Sequence, residues 1–341
     1  MPTMTIGLDL AKHVFQVHGV DATGKVAVRK KLRRSEVLEF FKGLPRSLAG
    51  IEACGTAHHW GRELTALGHD VRLMPAGYVK PYVKRGKNDA VGAEAICEAV
   101  ARPTMRFVEI KRAEQQSGLM LHRTRELLVR QRTALINSLR GQLAEFGLVA
   151  PKGVWSIPEL HALAQGATPA VLPDAVRSCV ELIMGQIDDV QTRVQTIENA
   201  IRVAHRASEV SLRLQTIPGI GVITASAITA TIGDIKVFKS GRHLATWIGL
   251  VPRQSGSGGK VHMGKISKKG DAYLRKLLVL GATAVIRYCR NKPELAGWIN
   301  ALLQRRPARV VTIAVANKMA RIAWAVMSRG EAFRQEASAI A

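Results

Sequence analysis

Hydrophobic positions change their spacing along this chain, and each change predicts a different kind of structure. Around Val14-Phe15-Gln16-Val17-His18-Gly19-Val20 β-branched and aromatic residues alternate with polar ones, which predicts a strand continuing the one opened by Thr5-Ile6-Gly7-Leu8-Asp9. Asp21-Ala22-Thr23-Gly24-Lys25 reads as a turn into a further strand, Val26-Ala27-Val28, so the chain is expected to begin as a β-meander. Ser35 is placed as the N-cap of a helix whose apolar face carries Leu38 and Phe41. Short strands at 47–54 and 70–74 flank a helix from about His58 to Leu67, and Asn88 is set to cap one more helix. This alternation of strands and helices predicts an α/β unit.

From about residue 106 the spacing becomes helical. Leu119, Leu127, Leu128, Leu135, Ile136, Leu139 and Leu143 recur with arginines between them, which predicts a long amphipathic helix. A break from Gly147 to Pro173 precedes a second helix, Val180 to about Leu212, whose apolar residues approximate a heptad stripe. The two are expected to pack antiparallel or to form a dimer seam. Ile217-Pro218-Gly219-Ile220-Gly221 then sits between helical runs, with the form of a helix–hairpin–helix or of a plain helix–helix turn. Helices are expected to begin near Ile266 and to run over 293–303 and 309–327.

Charge alters the picture for one region above all. The chain of 341 residues has a net charge of +24, and residues 213–341 hold 21 Lys and Arg against 5 Asp and Glu, a net +16. Such a surface fits a polyphosphate partner, because neutralising phosphates releases counterions. Four isolated cysteines form no C-x-x-C pair, so neither a zinc site nor a disulfide framework is expected. The N-terminus has no basic-then-apolar leader pattern, and Asn317, Lys318 and Arg321 interrupt the apolar run Val310–Met327. The expectation is a cytoplasmic protein that does not span a membrane.

The candidate chemistry lies in two places. Asp9 and Glu52 stand at strand positions where a carboxylate needs a partner or a cation, and Asp89 stands at a helix start. Brought together at one sheet edge, the three would make a hard-oxygen site suited to magnesium rather than zinc. The second place is Arg253-Gln254-Ser255-Gly256-Ser257-Gly258-Gly259-Lys260, followed by Lys265, Lys268 and Lys269. A glycine-flanked serine is open to a bulky electrophile, and amides beside glycine can converge on an anion. The same composition also suits a flexible basic loop that only touches nucleic acid.

Taken in order, Gly7-Leu8-Asp9-Leu10-Ala11-Lys12, Ile51-Glu52-Ala53-Cys54-Gly55-Thr56, Lys87-Asn88-Asp89-Ala90-Val91, Ile217-Pro218-Gly219-Ile220-Gly221 and Gly249-Leu250-Val251-Pro252-Arg253 with Ser257-Gly258 resemble the insertion sequence one-ten family of transposases, relatives of the Piv-type DNA invertases. The resemblance implies an α/β ribonuclease-H-like domain of the Holliday-junction-resolvase type (1–110), a helical coiled-coil middle (111–212), a mainly α transposase domain with the helix–hairpin–helix-like element (213–333) and a tail (334–341). It implies Ser257 as nucleophile, with Ser255 in reserve, and Asp9, Glu52 and Asp89 as ligands of Mg2+ or Mn2+. Nucleic-acid contacts are expected from Gly219, Gly221, Arg253, Lys260, Lys265, Lys268, Lys269 and Arg275. Implied partners are donor and target DNA, a structured bridge RNA, and further copies in a homodimer or homotetramer.

One departure stands out. The family's fourth acid is expected three residues after Asp89, one turn along the same helix face, and the residue there is Gly92. Glu94 stands roughly 140° away around the axis and cannot simply replace it. The expectation is therefore retained nucleic-acid binding with impaired or absent recombination. A junction nuclease using water and a binding-only protein remain as alternative readings.

Overall fold

The computed structural model describes residues 4–84, 86, 88–290 and 297–334. Lys87 of the Lys87–Val91 motif, the start of the helix expected from Pro293, and the tail beyond Arg334 lie outside them. The chain divides into two compact units, residues 1–114 and 115–341.

The first unit is a five-stranded mixed sheet with helices. Its strands are β1 (Met4–Asp9), β2 (Val14–Asp21), β3 (Val26–Arg33), β4 (Leu48–Glu52) and β5 (Asp70–Met74), arranged in the order β3-β2-β1-β4-β5. The meander pairs antiparallel, while β4 lies parallel to β1 and β5 parallel to β4. Helices α1 (Val37–Lys42), α2 (Ala57–Ala66), α3 (Ala76–Val79) and α4 (Asp89–Val100) complete it. Ile6, Leu8, Phe15, Val17, Ile51, Trp60 and Leu73 form one core cluster, and Met74, Ile96, Ala99 and Val100 another.

Three details correct the sequence reading. The opening strand is broken between Asp9 and Val14, so that Asp9 ends β1 rather than lying within a continuous strand. Strand β3 runs on to Arg33, its basic residues exposed on the sheet's edge, where charge is tolerated and discourages further pairing. Ser35 does not cap α1; it lies in a 3₁₀ turn, Arg34–Glu36, and Glu36 Oε2 accepts from the Arg33 amide at 2.7 Å. Asn88 does cap α4, its Oδ1 accepting from the Val91 amide at 2.8 Å.

Among the described residues the second unit is helical apart from one hairpin. Helix α5 (Ala113–Ala144) and α7 (Asp174–Arg206) pack antiparallel: Ile136, Leu139 and Leu143 share a core with Val180, Met184 and Ile187, and Arg125 reaches Glu198 at 2.7 Å. The break between them contains a further helix, α6 (Ile157–Gly166), with Pro158 in its first turn. Proline is tolerated there because first-turn amides have no intrahelical partner. The second long helix ends earlier than expected, and α8 (Glu209–Gln215) follows, capped by Ser208.

Beyond it lie α9 (Val222–Thr231), α10 (Gly241–Ile248), the hairpin β6 (Pro252–Ser257) and β7 (Lys260–Ile266), then α11 (Ala272–Arg290), α12 (Gly297–Arg305) and α13 (Ala308–Arg329). Leu214, Ile217, Ile228, Leu244, Leu274, Leu278, Val315, Met319 and Ala323 belong to their common core. Helix α13 alone among the described residues is long and apolar enough to cross a membrane by composition, yet its Val311, Val315, Ala316, Met319, Ala320, Ala323 and Val326 are buried in this core.

Candidate active site and nucleic-acid interface

Adjacent parallel strands end at the same sheet edge, and here both end in a carboxylate, Asp9 on β1 and Glu52 on β4. The third acid arrives on α4. That helix seats closely on β1 because residue 7 is glycine: a Cβ there would collide with the Ala93 carbonyl and the Cys97 backbone. Asp89 begins α4 and Gly92 follows one turn later. A Cβ built on Gly92 would fall well inside contact distance of Asp9 Oδ2 and 3.2 Å from its Cγ. Position 92 therefore faces Asp9 directly.

The electrostatics match this grouping. The Asp9 carboxyl is pushed up to about 6, first by burial and then by the negative charges of Asp89 and Glu52, against a backbone hydrogen bond at Leu10 that pulls it down. Cys54, two residues after Glu52, is exposed as a residue but its thiol is partly desolvated, which raises it, as do the charges of Glu52 and then Asp9. Thr56, in the same loop, adopts left-handed backbone at φ 71°, unusual for a β-branched residue. No feature of the sequence signalled that conformation. Glu94 is committed elsewhere: it accepts from Lys84 at 2.7 Å, lies 4.0 Å from Arg29, and is held below its ordinary range by Lys84.

The donor set is all carboxylate oxygen, which fits a hard divalent cation. As the side chains stand, however, no three His, Cys, Asp or Glu groups among the described residues are gathered so that they could hold a metal ion. The negative charges of Asp89 and Glu52 bear on Asp9, but the three do not form a closed coordination shell.

The glycine- and serine-rich stretch forms a hairpin, not a flexible loop. Gly258 and Gly259 make its two-residue turn with φ 56° and 78°, left-handed at both positions, as a tight hairpin turn requires. Ser257 pairs with Lys260 and Ser255 with His262, so all four side chains share one face. Every residue from Pro252 to Lys265 is exposed. Ser257 thus stands at the tip, an ammonium directly across from it. Lys260, Lys265, Lys268 and Lys269 are exposed, and Arg253 donates to the Ser267 carbonyl at 3.2 Å across the base of the hairpin.

Other residues expected to contact nucleic acid have structural duties. Arg275 donates to the carbonyls of Ile248, at 2.8 Å, and Lys269, at 3.3 Å, closing the C-terminal end of α10. Gly219 is half-buried against α11, where a Cβ would lie 2.7 Å from Val285 Cγ2 and 2.9 Å from the Gly281 carbonyl. The Pro218–Gly221 hairpin between α8 and α9 is thus required by close packing whatever else it does. Gly221, at the exposed N-cap of α9, has open space around it.

Comparison with known proteins covers nearly the whole chain. Residues 6–147 match a transposase family model of DEDD type, and residues 211–296 match that of the Transposase IS116/IS110/IS902 family. A "Probable family 20 transposase" of Pseudomonas aeruginosa is 49% identical over 96% of this chain and 98% of its own length. The "Transposase for insertion sequence element IS1111A" of Coxiella burnetii is 38% identical, covering 96% of this chain and 91% of its own. A "Pilin gene-inverting protein" of Moraxella bovis is 33% identical over 41% of this chain and 42% of its own.

Proposed function

Because the chain belongs to the IS116/IS110/IS902 family of transposases, enzymes that act on DNA, we propose that it cuts and rejoins DNA through a phosphoserine link at Ser257. Support comes from the tip position of Ser257, exposed on a hairpin in the most basic third of the chain, with Lys260 opposite. Ser257 Oγ attacks a phosphodiester phosphorus and loses its proton as the O–P bond forms. The bond from phosphorus to one sugar oxygen breaks, and that oxygen takes up a proton. Rejoining is the reverse attack by a sugar hydroxyl from another strand, which restores the free serine. The Lys260 ammonium offsets negative charge on the non-bridging oxygens.

Asp9, Glu52 and Asp89 are the residues that would hold magnesium or manganese, in a domain we read as ribonuclease-H-like. Bound there, such an ion would supply positive charge toward a phosphate. A structured RNA made by the element would pair with donor and target DNA, and the chain would work as a dimer or tetramer.

The test is Ser257→Ala on a suicide DNA substrate. The variant should bind the substrate as the parent does and give no covalent protein–DNA adduct; an adduct retained in Ser257→Ala overturns the reading. Gly92 favours one second reading, a chain that binds nucleic acid without turnover, because the position beside Asp9 carries no carboxylate.

A further inference from the structure

Within the second unit, the N-terminal end of α10 and one long face of α13 line a groove of about 1500 Å³, bordered by the base of the β6–β7 hairpin. That volume exceeds the usual 300–1,000 Å³ of a small-molecule pocket and suits a segment of polymer. Six cations line the groove, Arg242, Lys265, Lys268, Arg309, Lys318 and Arg321, and among the described residues no Asp or Glu does. Neither α10 nor α13 carries an acid in its first turn, and the positive N-terminal end of α10 borders this space.

The groove is also built to bring these charges together. Gly241 lets α10 meet α13 backbone to backbone, since a Cβ there would lie 2.9 Å from Arg321 Cα. Lys318, half-buried, lies over the Trp298 ring at 4.5 Å, which fixes its ammonium at the floor. Burial and the nearby Arg321 both disfavour its charge. Among the described residues none of the six has a carboxylate partner. Concentrating unpaired cations in this way costs free energy that an anion would recover.

We propose that this groove holds the sugar–phosphate backbone of the nucleic-acid strand that passes the hairpin. The inference rests on the reading of the hairpin given above but concerns binding rather than chemistry. Its α13 wall, from Arg309 to Ala325, spans about 24 Å, comparable to about seven nucleotides at a rise of about 3.4 Å each. The polymer enters by charge, so DNA and RNA strands share the recognition chemistry.

The experiment uses the full chain in EDTA, where no cleavage occurs, with fluorescein-labelled 20-mers of one sequence as single-stranded DNA, duplex DNA and single-stranded RNA. Anisotropy is read across a potassium chloride series. The triple variant Arg242→Ala/Arg309→Ala/Arg321→Ala alters three exposed side chains and should melt as the parent does. It should bind at least tenfold more weakly near 0.1 M salt, with the slope of log K against log salt shallower by about 2 to 3. Lys25→Ala, in a turn of the first unit, should change neither quantity. The 20-mer whose slope falls most identifies the strand that occupies the groove. A folded triple variant with the parent's slope on all three 20-mers overturns the proposal. Loss of slope without any Ser257 adduct in the suicide-substrate assay would keep the groove and sink the nucleophile; an adduct with no loss of slope would do the reverse.

Discussion

At the scale of single residues, the contact between Gly92 and Asp9 decides most. Glycine in a helix costs about 1 kcal/mol relative to alanine, and here it leaves room for the Asp9 carboxylate. An aspartate at 92 would displace that carboxylate, which is the end of a short rotatable side chain, and would add a fourth acid one turn from Asp89. Gly92→Asp is expected to raise magnesium-dependent strand cleavage at least tenfold over the parent in a nicking assay, whereas Gly92→Ala should give no gain. Equal rates for Gly92→Asp and the parent would remove position 92 from the account. Proton competition follows from the raised Asp9 pKa. Below about pH 6 Asp9 holds a proton, so divalent-ion affinity measured by calorimetry should fall as pH drops through 6. Asp9 and Glu52 stand out in the sequence because a carboxylate among apolar strand residues is costly, and Asp89 because it opens a helix; the approach of residue 92 to Asp9 required the seating of α4 on Gly7.

Among elements, the hairpin and the α9–α11 packing show opposite limits of sequence reading. Gly-Ser-Gly-Gly lacks the apolar alternation that marks a strand, so the hairpin was hidden, although its turn glycines were in view. Helix α6 was masked by Pro151, Gly153, Pro158 and Pro173, which read together as a break. The Pro218–Gly221 turn was legible as a hairpin, but its partner Gly281 lies some sixty residues on, in α11. A Cβ on Gly281 would strike the Gly219 carbonyl, so Gly281→Ala should lower the thermal midpoint, with a cost of about 1–3 kcal/mol from overpacking.

A second element-scale pin is His122 on α5, whose ring lies 3.2 Å from Tyr273 Oη of α11 and 3.1 Å from Ser226 Oγ of α9. Burial, and then Arg125, push it down to about 4, so it is neutral in the folded chain. Unfolded, it takes up a proton near its ordinary 6.5. Its contribution is complete above pH 6.5 and lost as pH falls toward 4, on the order of 3 kcal/mol. Denaturant melts at pH 7 and pH 4.5 should show this loss in the parent and a smaller one in His122→Phe.

For the whole molecule, charge and motif order carried further than any local pattern. The +16 of the last 129 residues pointed to nucleic acid, and the ordered motifs pointed to a transposase family that the full-length relatives bear out. What charge counting could not locate is the groove, because Arg242, Lys265, Arg309 and Arg321 are scattered over eighty residues and meet only when α10 packs on α13. The most direct measurement is mass spectrometry of the protein–DNA adduct formed with magnesium on a suicide substrate, in the parent and in Gly92→Asp, after nuclease trimming. Trypsin releases Gln254–Lys260, in which fragmentation separates Ser255 from Ser257. The account predicts a nucleotide-phosphate mass on Ser257, more abundant in Gly92→Asp and absent in EDTA. A mass on Ser255 or on any other residue, or cut DNA with no modified peptide in either chain, would contradict it.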